Sequence, residues 1–240
     1  TEKVASVLNG AGAPEEPLTF VRGSMVDAGV TVIATDAPLG EEGYEVVCAA
    51  ADAPDVFDTL VNRGLNAAPF GYRTWETLGL EAGTPLFEHE LEGEIPNVVG
   101  IRNALDFEKG CYVGQEVVSR VENQGRPSGR LVGLTLDGLA DALAGVDGDA
   151  DPETVTARLP DPGAAVFEGD EAIGSVTRAA VGPATDAPIA FGRVEFGRAT
   201  GSVTVRVDGA EVSASRTPLP FVDGSARSGR LPTYPGADES

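Results

Sequence analysis

Cysteine, histidine, lysine, methionine and tryptophan are scarce in this chain of 240 residues, which holds two cysteines, one histidine, two lysines, one methionine and one tryptophan. Two cysteines, Cys48 and Cys111, cannot build the disulfide framework of a small secreted domain. One histidine and two distant cysteines do not provide metal-ligand spacing, so no zinc or iron–sulfur site is expected within the chain. No run of eighteen apolar residues occurs, so no membrane-spanning helix is expected. Residues 1–9 carry charges and lack the apolar stretch of a secretory signal. There is no phosphate-binding P-loop and no Gly-x-Gly-x-x-Gly after a strand, so nucleotide-phosphate chemistry finds no support. A Ser-His-Asp triad would need His89, and nothing in the sequence resembles a nucleophile elbow. His89, in Phe-Glu-His-Glu-Leu, reads as a solvated residue among carboxylates.

Positive charge is also scarce. Seventeen basic residues face 38 acidic ones, for a net charge of −21. Such a field repels polyanions, so direct nucleic-acid binding is not expected. In molar salt the Debye length falls to about 3 Å and self-repulsion is screened. The acidity therefore points to the cytoplasm of a salt-accumulating halophile.

Against this background the segment Lys109-Gly110-Cys111-Tyr112-Val113-Gly114-Gln115-Glu116 stands out. It sets a thiol on a glycine-rich loop with a cation two residues away. A thiol acts as nucleophile or metal ligand in its thiolate form, and a nearby cation or cluster of backbone N–H groups favours that form. Gly110 and Gly114 allow the backbone angles and close approach that a site requires. Cys48, in the apolar run Tyr44–Ala49, reads instead as core packing.

The octapeptide resembles the signature of the YgfZ-like folate-binding proteins, relatives of the glycine cleavage T-protein (aminomethyltransferase). The likeness runs through most of the chain. Ala-Pro-Leu-Gly-Glu-Glu-Gly-Tyr-Glu-Val (37–46) is similar to a T-protein segment in which a Gly-Glu-Asp-Gly-Phe-Glu run precedes a strand. Leu-Glu-Ala-Gly (80–83) resembles the family's Arg-Leu-Glu-Ala-Gly, with Gly79 in place of the arginine. Glu88, His89 and Glu90 stand where relatives commonly show Gly-x-Asp. Pro-Gly-Ala-Ala-Val (162–166), Ile-Gly-Ser-Val-Thr (173–177) and Ala-Pro-Ile-Ala-Phe (187–191) resemble the family's C-terminal barrel. Relative to the family, the chain opens within the folate-binding region, and the family's N-terminal portion has no counterpart here.

The resemblance implies tetrahydrofolate as cofactor, with Glu41 contacting the pterin and Tyr44, Glu81 and Arg120 as further folate-binding residues. The pterin's N–H groups suit a carboxylate that receives two of them, and Glu41 lies between glycines 40 and 43. Glu81, in an otherwise apolar run, is expected to be partly buried and paired, with Arg120 as a candidate partner. Cys111 is the expected functional thiol, with Lys109 tuning its charge. Gly110, Tyr112, Gly114, Gln115 and Glu116 are expected to shape the loop. The functional expectation is a YgfZ-like protein that binds folate and supports iron–sulfur cluster assembly or repair and tRNA modification, with iron–sulfur client proteins as partners. The alternatives are an aminomethyltransferase or other one-carbon transferase, and an interaction module with a decayed folate pocket. True T-proteins, as the family implies, carry Phe-Ile-Gly at the octapeptide and lack its cysteine.

Periodicity gives an α+β organisation: a mixed α/β region (1–127), which the resemblance makes the folate-binding part, an all-β barrel (128–232) and a tail (233–240). Helices are expected at Glu2–Leu8, Pro54–Leu65 and Arg73–Leu80, and a hairpin turning at Asp27-Ala28-Gly29. Beyond the cluster Gly125–Gly129, strands are expected at Leu131–Leu136, Ala164–Phe167, Ile173–Val176, Ile189–Val194 and Gly201–Val207. The acidic stretch Asp137–Pro162 reads as a solvated insertion with a short helix at Ala140–Ala144.

Overall fold

The computed structural model describes residues 2–10, 12–63, 67–101, 104–124, 127–144 and 157–222. Its contacts form two compact units, one reaching Trp75 and one beginning at Glu76. Residues 76–124 thus share a unit with the strands beyond the Gly/Pro cluster. Residues 125–126 of that cluster, the middle of the acidic insertion and the tail at 233–240 lie outside the described residues.

In the first unit a short helix α1 (Glu2–Ala5) precedes four strands, β1 (Asn9–Gly10), β2 (Phe20–Met25), β3 (Ala28–Ala34) and β4 (Tyr44–Cys48). They form an antiparallel sheet in chain order. Alternation along the strands sends one set of side chains to a single face. Met25, Val30 and Val32 are buried there with Val56 of helix α2 (Ala53–Arg63), and Cys48 packs at its margin. The structure thus gives Cys48 a packing role. The β2–β3 turn falls at Val26-Asp27, one residue before the expected position, with Met25 paired to Ala28. Val26 has φ 56°, a strained setting for a β-branched residue.

The division between units falls within helix α3 (Tyr72–Glu81). After it the second unit contains a single π-helical turn (Phe87–Leu91), helix α4 (Pro96–Val99) and helix α5 (Gln115–Gln124). Then come β5 (Gly129–Thr135), α6 (Asp137–Ala144), β6 (Ala165–Glu168), β7 (Glu171–Gly182), β8 (Ala187–Glu195), β9 (Ser202–Val207) and β10 (Ala210–Thr217). The six strands close into a barrel in the order β10-β5-β8-β7-β6-β9. Leu134, Leu136, Ile173, Val176 and Val205 fill its interior. A second cluster of Leu80, Val99, Leu131, Ile189 and Phe191 seats α3 and α4 on the barrel, with Leu219 and Phe221 packed against it. The expected mixed α/β region followed by a β-barrel is therefore the observed fold. β10, absent from the expectation, follows Asp208-Gly209, both at positive φ, the residues of a tight hairpin turn.

Candidate functional site

The thiol loop is built from its ends inward. Asp106 Oδ1 accepts the backbone N–H groups of Glu108 (2.9 Å) and Lys109 (3.1 Å), a turn that a short carboxylate side chain favours. At the other end Gly114 has φ 92°, where a side chain would be strained, and its carbonyl accepts from Val117 (3.1 Å) and Val118 (3.3 Å) to open α5. Cys111 lies exposed between these anchors. Lys109 Nζ sits 4.9 Å from the centre of the Tyr112 ring, so its charge rests on that ring. Phe107, Tyr112 and Val113 on this loop and Val117 in the first turn of α5 are also exposed. Gln115 begins α5, and Glu116 accepts from Arg120 at 2.6 Å one turn later, both side chains in solvent.

Glu41 and Tyr44 belong to the first unit. The loop between β3 and β4 is closed by Thr35 N–H donating to Gly43 O (2.9 Å), and Gly40 N–H donates to Ala37 O (3.0 Å) within it. Glu41 is exposed on this loop. Tyr44 is half-buried, and its hydroxyl donates to Pro14 O at 3.3 Å.

Glu81 corrects the expected pairing. It is buried, but its Oε1 accepts the N–H groups of Ala184 (2.8 Å) and Thr185 (3.0 Å) in the β7–β8 turn. Arg120, its candidate partner, is bonded to Glu116 instead. The backbone makes this possible, because a Cβ on Gly182 would lie 2.4 Å from Glu81 Oε1. The carboxylate thus clasps the end of α3 to the barrel. The structure brings Lys109 to Tyr112 and Glu116 to Arg120, and gives Glu81 a partner from a different strand connection.

A second polar cluster was missed by the sequence reading. Glu90, on the π turn, is buried and accepts from three donors: Leu86 N–H (2.7 Å), Thr177 Oγ1 (2.9 Å) and Arg178 Nη2 (3.3 Å). Arg178 is also buried and donates to the carbonyls of Glu76 (2.9 Å) and Thr84 (2.9 Å). Its guanidinium lies 5.2 Å from the Phe191 ring centre. Burial pulls its pKa below the ordinary arginine value, opposed by the adjacent Glu90 charge. Side chains of neighbouring strand residues normally point to opposite faces. Here a bulge between Val176 and Arg178 breaks the register, and Thr177 and Arg178 both reach one carboxylate. One signal was available: a carboxylate at the family's Gly-x-Asp position. Beside this cluster is a recess of about 40 Å³ lined by Glu90, Thr177 and Arg193 among others. It has room for a few waters and is far smaller than small-molecule pockets, which run to ~300 Å³ or more.

Among the described residues no three His, Cys, Asp or Glu side chains group as a metal site, and no helix is long and apolar enough to cross a membrane.

Comparison with known proteins adds a family context. The GCVT N-terminal domain matches residues 18–109, and the glycine cleavage T-protein C-terminal barrel domain matches residues 130–223. An aminomethyltransferase of Streptomyces avermitilis is 33% identical over 204 residues, covering 81% of this chain and 50% of its own length. One from Thermus thermophilus is 33% identical over 183 residues, covering 76% of this chain and 45% of its own. A putative chloroplastic transferase of Arabidopsis thaliana is 27% identical over 186 residues, with 77% and 38% covered. In fold, the crystal structure of the glycine cleavage system aminomethyltransferase T from Bartonella henselae aligns with a TM-score of 0.66 at 23% identity, over 83% of this chain and 51% of that one. The chain spans about half the length of the curated relatives it matches.

Proposed function

The chain belongs to the glycine cleavage T-protein superfamily, and from that premise we propose that it binds tetrahydrofolate and serves one-carbon transfer of the aminomethyltransferase type. The observation that carries this reading is the ordered pair of domain matches, with the closed barrel following the α/β region as in that fold. Tetrahydrofolate supplies the nitrogens that take up a one-carbon unit. This chain's part is to hold and orient it. Glu41, exposed between two glycines, fits a carboxylate that receives pterin N–H groups. Tyr44 and Glu81 already have intramolecular partners and act by shaping the protein around the ligand. Arg120 is exposed and pairs with Glu116 in solvent, so it is available to a ligand carboxylate.

A second reading rests on Cys111. Its exposure on the octapeptide loop supports a YgfZ-like role with iron–sulfur client proteins and tRNA modification downstream. We further read the net charge of −21 as adaptation to a salt-rich cytoplasm. Unfolding on dialysis into low salt supports that, and full stability there overturns it.

The deciding experiment is calorimetric titration of tetrahydrofolate into the protein in molar KCl, for wild type and Glu41→Ala. Saturable binding that the substitution abolishes is expected. A folded wild-type protein that takes up no tetrahydrofolate rejects the reading. Cys111→Ala separates the two functions: it leaves folate binding intact and, under the second reading alone, fails to complement loss of an iron–sulfur maintenance factor.

A further inference from the structure

Two backbone irregularities meet at Glu90: the π turn that carries it and the β7 bulge that supplies two of its donors. Both are features that recur at functional positions because each costs regular hydrogen bonding. The π turn keeps its wide bonds, Leu91 N–H to Leu86 O (3.2 Å) and Glu92 N–H to Phe87 O (2.8 Å), while Glu90 Oε2 takes the Leu86 N–H at its start. Glu94, just beyond, forms an ion pair with Arg193 of β8. With Glu81 on the β7–β8 turn, three glutamates fasten the segment 76–101 to the barrel.

The chain of contacts continues. The π turn packs on α4, and α4 packs on β5 and α5. Asn97 Nδ2 of α4 donates to Glu122 Oε2 of α5 at 3.2 Å. Helix α5 starts at Gln115, four residues after Cys111. The thiol loop itself is exposed and is held by the Asp106 turn at one end and by α5 at the other. Its placement therefore depends on where α5 is held.

We propose that Glu90 is a positioning residue for the Cys111 loop, fixed by Thr177 and Arg178 at the β7 bulge and acting through α4 and the Asn97–Glu122 bond on helix α5. The purpose of this link rests on reading Cys111 as a working thiol. The link itself is mechanical and is read without any ligand.

The test is hydrogen exchange on the full chain in molar KCl, with Glu90→Gln and Asn97→Ala, together with the alkylation rate of Cys111 in a Cys48→Ser background. Both variants are expected to speed exchange of the α5 amides, on the order of tenfold, with β5 and β8 amides unchanged. Cys111 alkylation is expected to shift in the same two variants. Exchange that rises only over residues 86–92 and β7 in Glu90→Gln would mean that Glu90 serves its own turn alone, and overturns the proposal. So would wild-type α5 exchange in Asn97→Ala, or loosened α5 with unchanged alkylation. If Glu90→Gln does not fold, Asn97→Ala decides. Neither readout involves tetrahydrofolate or a client protein, so failure here and failure of the functional reading are separate results.

Discussion

Two arginine–glutamate pairs in the second unit have opposite characters. Glu116 and Arg120 meet at 2.6 Å on one face of α5, with side chains 84% and 61% exposed. Glu90 and Arg178 meet at 3.3 Å with side chains 0% and 7% exposed. By distance the first is the better bond. By consequence the second is, because water replaces either partner of the exposed pair and neither partner of the buried one. The exposed pair gains little over hydration and is weakened by salt. The buried pair offsets a large desolvation cost only while its other donors and acceptors stay engaged. What matters is what remains when one partner is removed.

That contrast is open to direct attack. Glu90→Ala leaves Arg178 charged, buried and short of its counter-ion, and is expected to cost about 3–5 kcal/mol in urea unfolding. A cost under about 1 kcal/mol would show that water reaches the cluster. Gly182→Ala places a Cβ against Glu81 Oε1 and Thr185 Oγ1. Its expected cost is about 1–3 kcal/mol, read as a lowered Tm, and an unchanged Tm would mean that the turn yields freely. Tyr44→Phe removes the bond to Pro14 O and should cost about 0.5–1.5 kcal/mol. Glu116→Ala should change stability by no more than about 0.5 kcal/mol. A double-mutant cycle with Arg120→Ala should give a coupling that fades as KCl is raised. A coupling that persists at molar salt would make this pair more than a surface contact.

The same contrast explains what was legible in the sequence. The octapeptide was readable because its residues are exposed and few structural demands compete for them: glycines that bend, a thiol, a cation. The strands of the barrel were readable where apolar residues cluster between glycines, as in Ile189–Val194. β7 was read only to Val176, because Thr177 and Arg178 look like the end of an apolar run, whereas the strand continues to Gly182 through a bulge. Glu90 looked like one more charge in an acidic string. Its role depends on a donor set 87 and 88 residues away, and no local pattern reports a partner at that distance. Glu81 was read as partly buried and is fully so, and its partner was misassigned for the same reason: backbone N–H groups of a distant turn have no side-chain signature.

The two sheets also differ in how they end. The barrel closes on itself, while among the described residues the sheet of the first unit ends at β1 and at β4. A closed sheet offers no unpaired backbone to a neighbouring chain, and an open one offers two rows. β1 has only two residues, so it is a poor template. β4 has five, and among them Glu45 faces solvent beside the exposed Val47. A carboxylate in the middle of a short outer strand works against chain-to-chain pairing, and in concentrated salt, where charge repulsion reaches only a few ångströms, its protection is short-ranged. Strand exchange between copies, where it occurs, should begin at β4 and leave the barrel untouched.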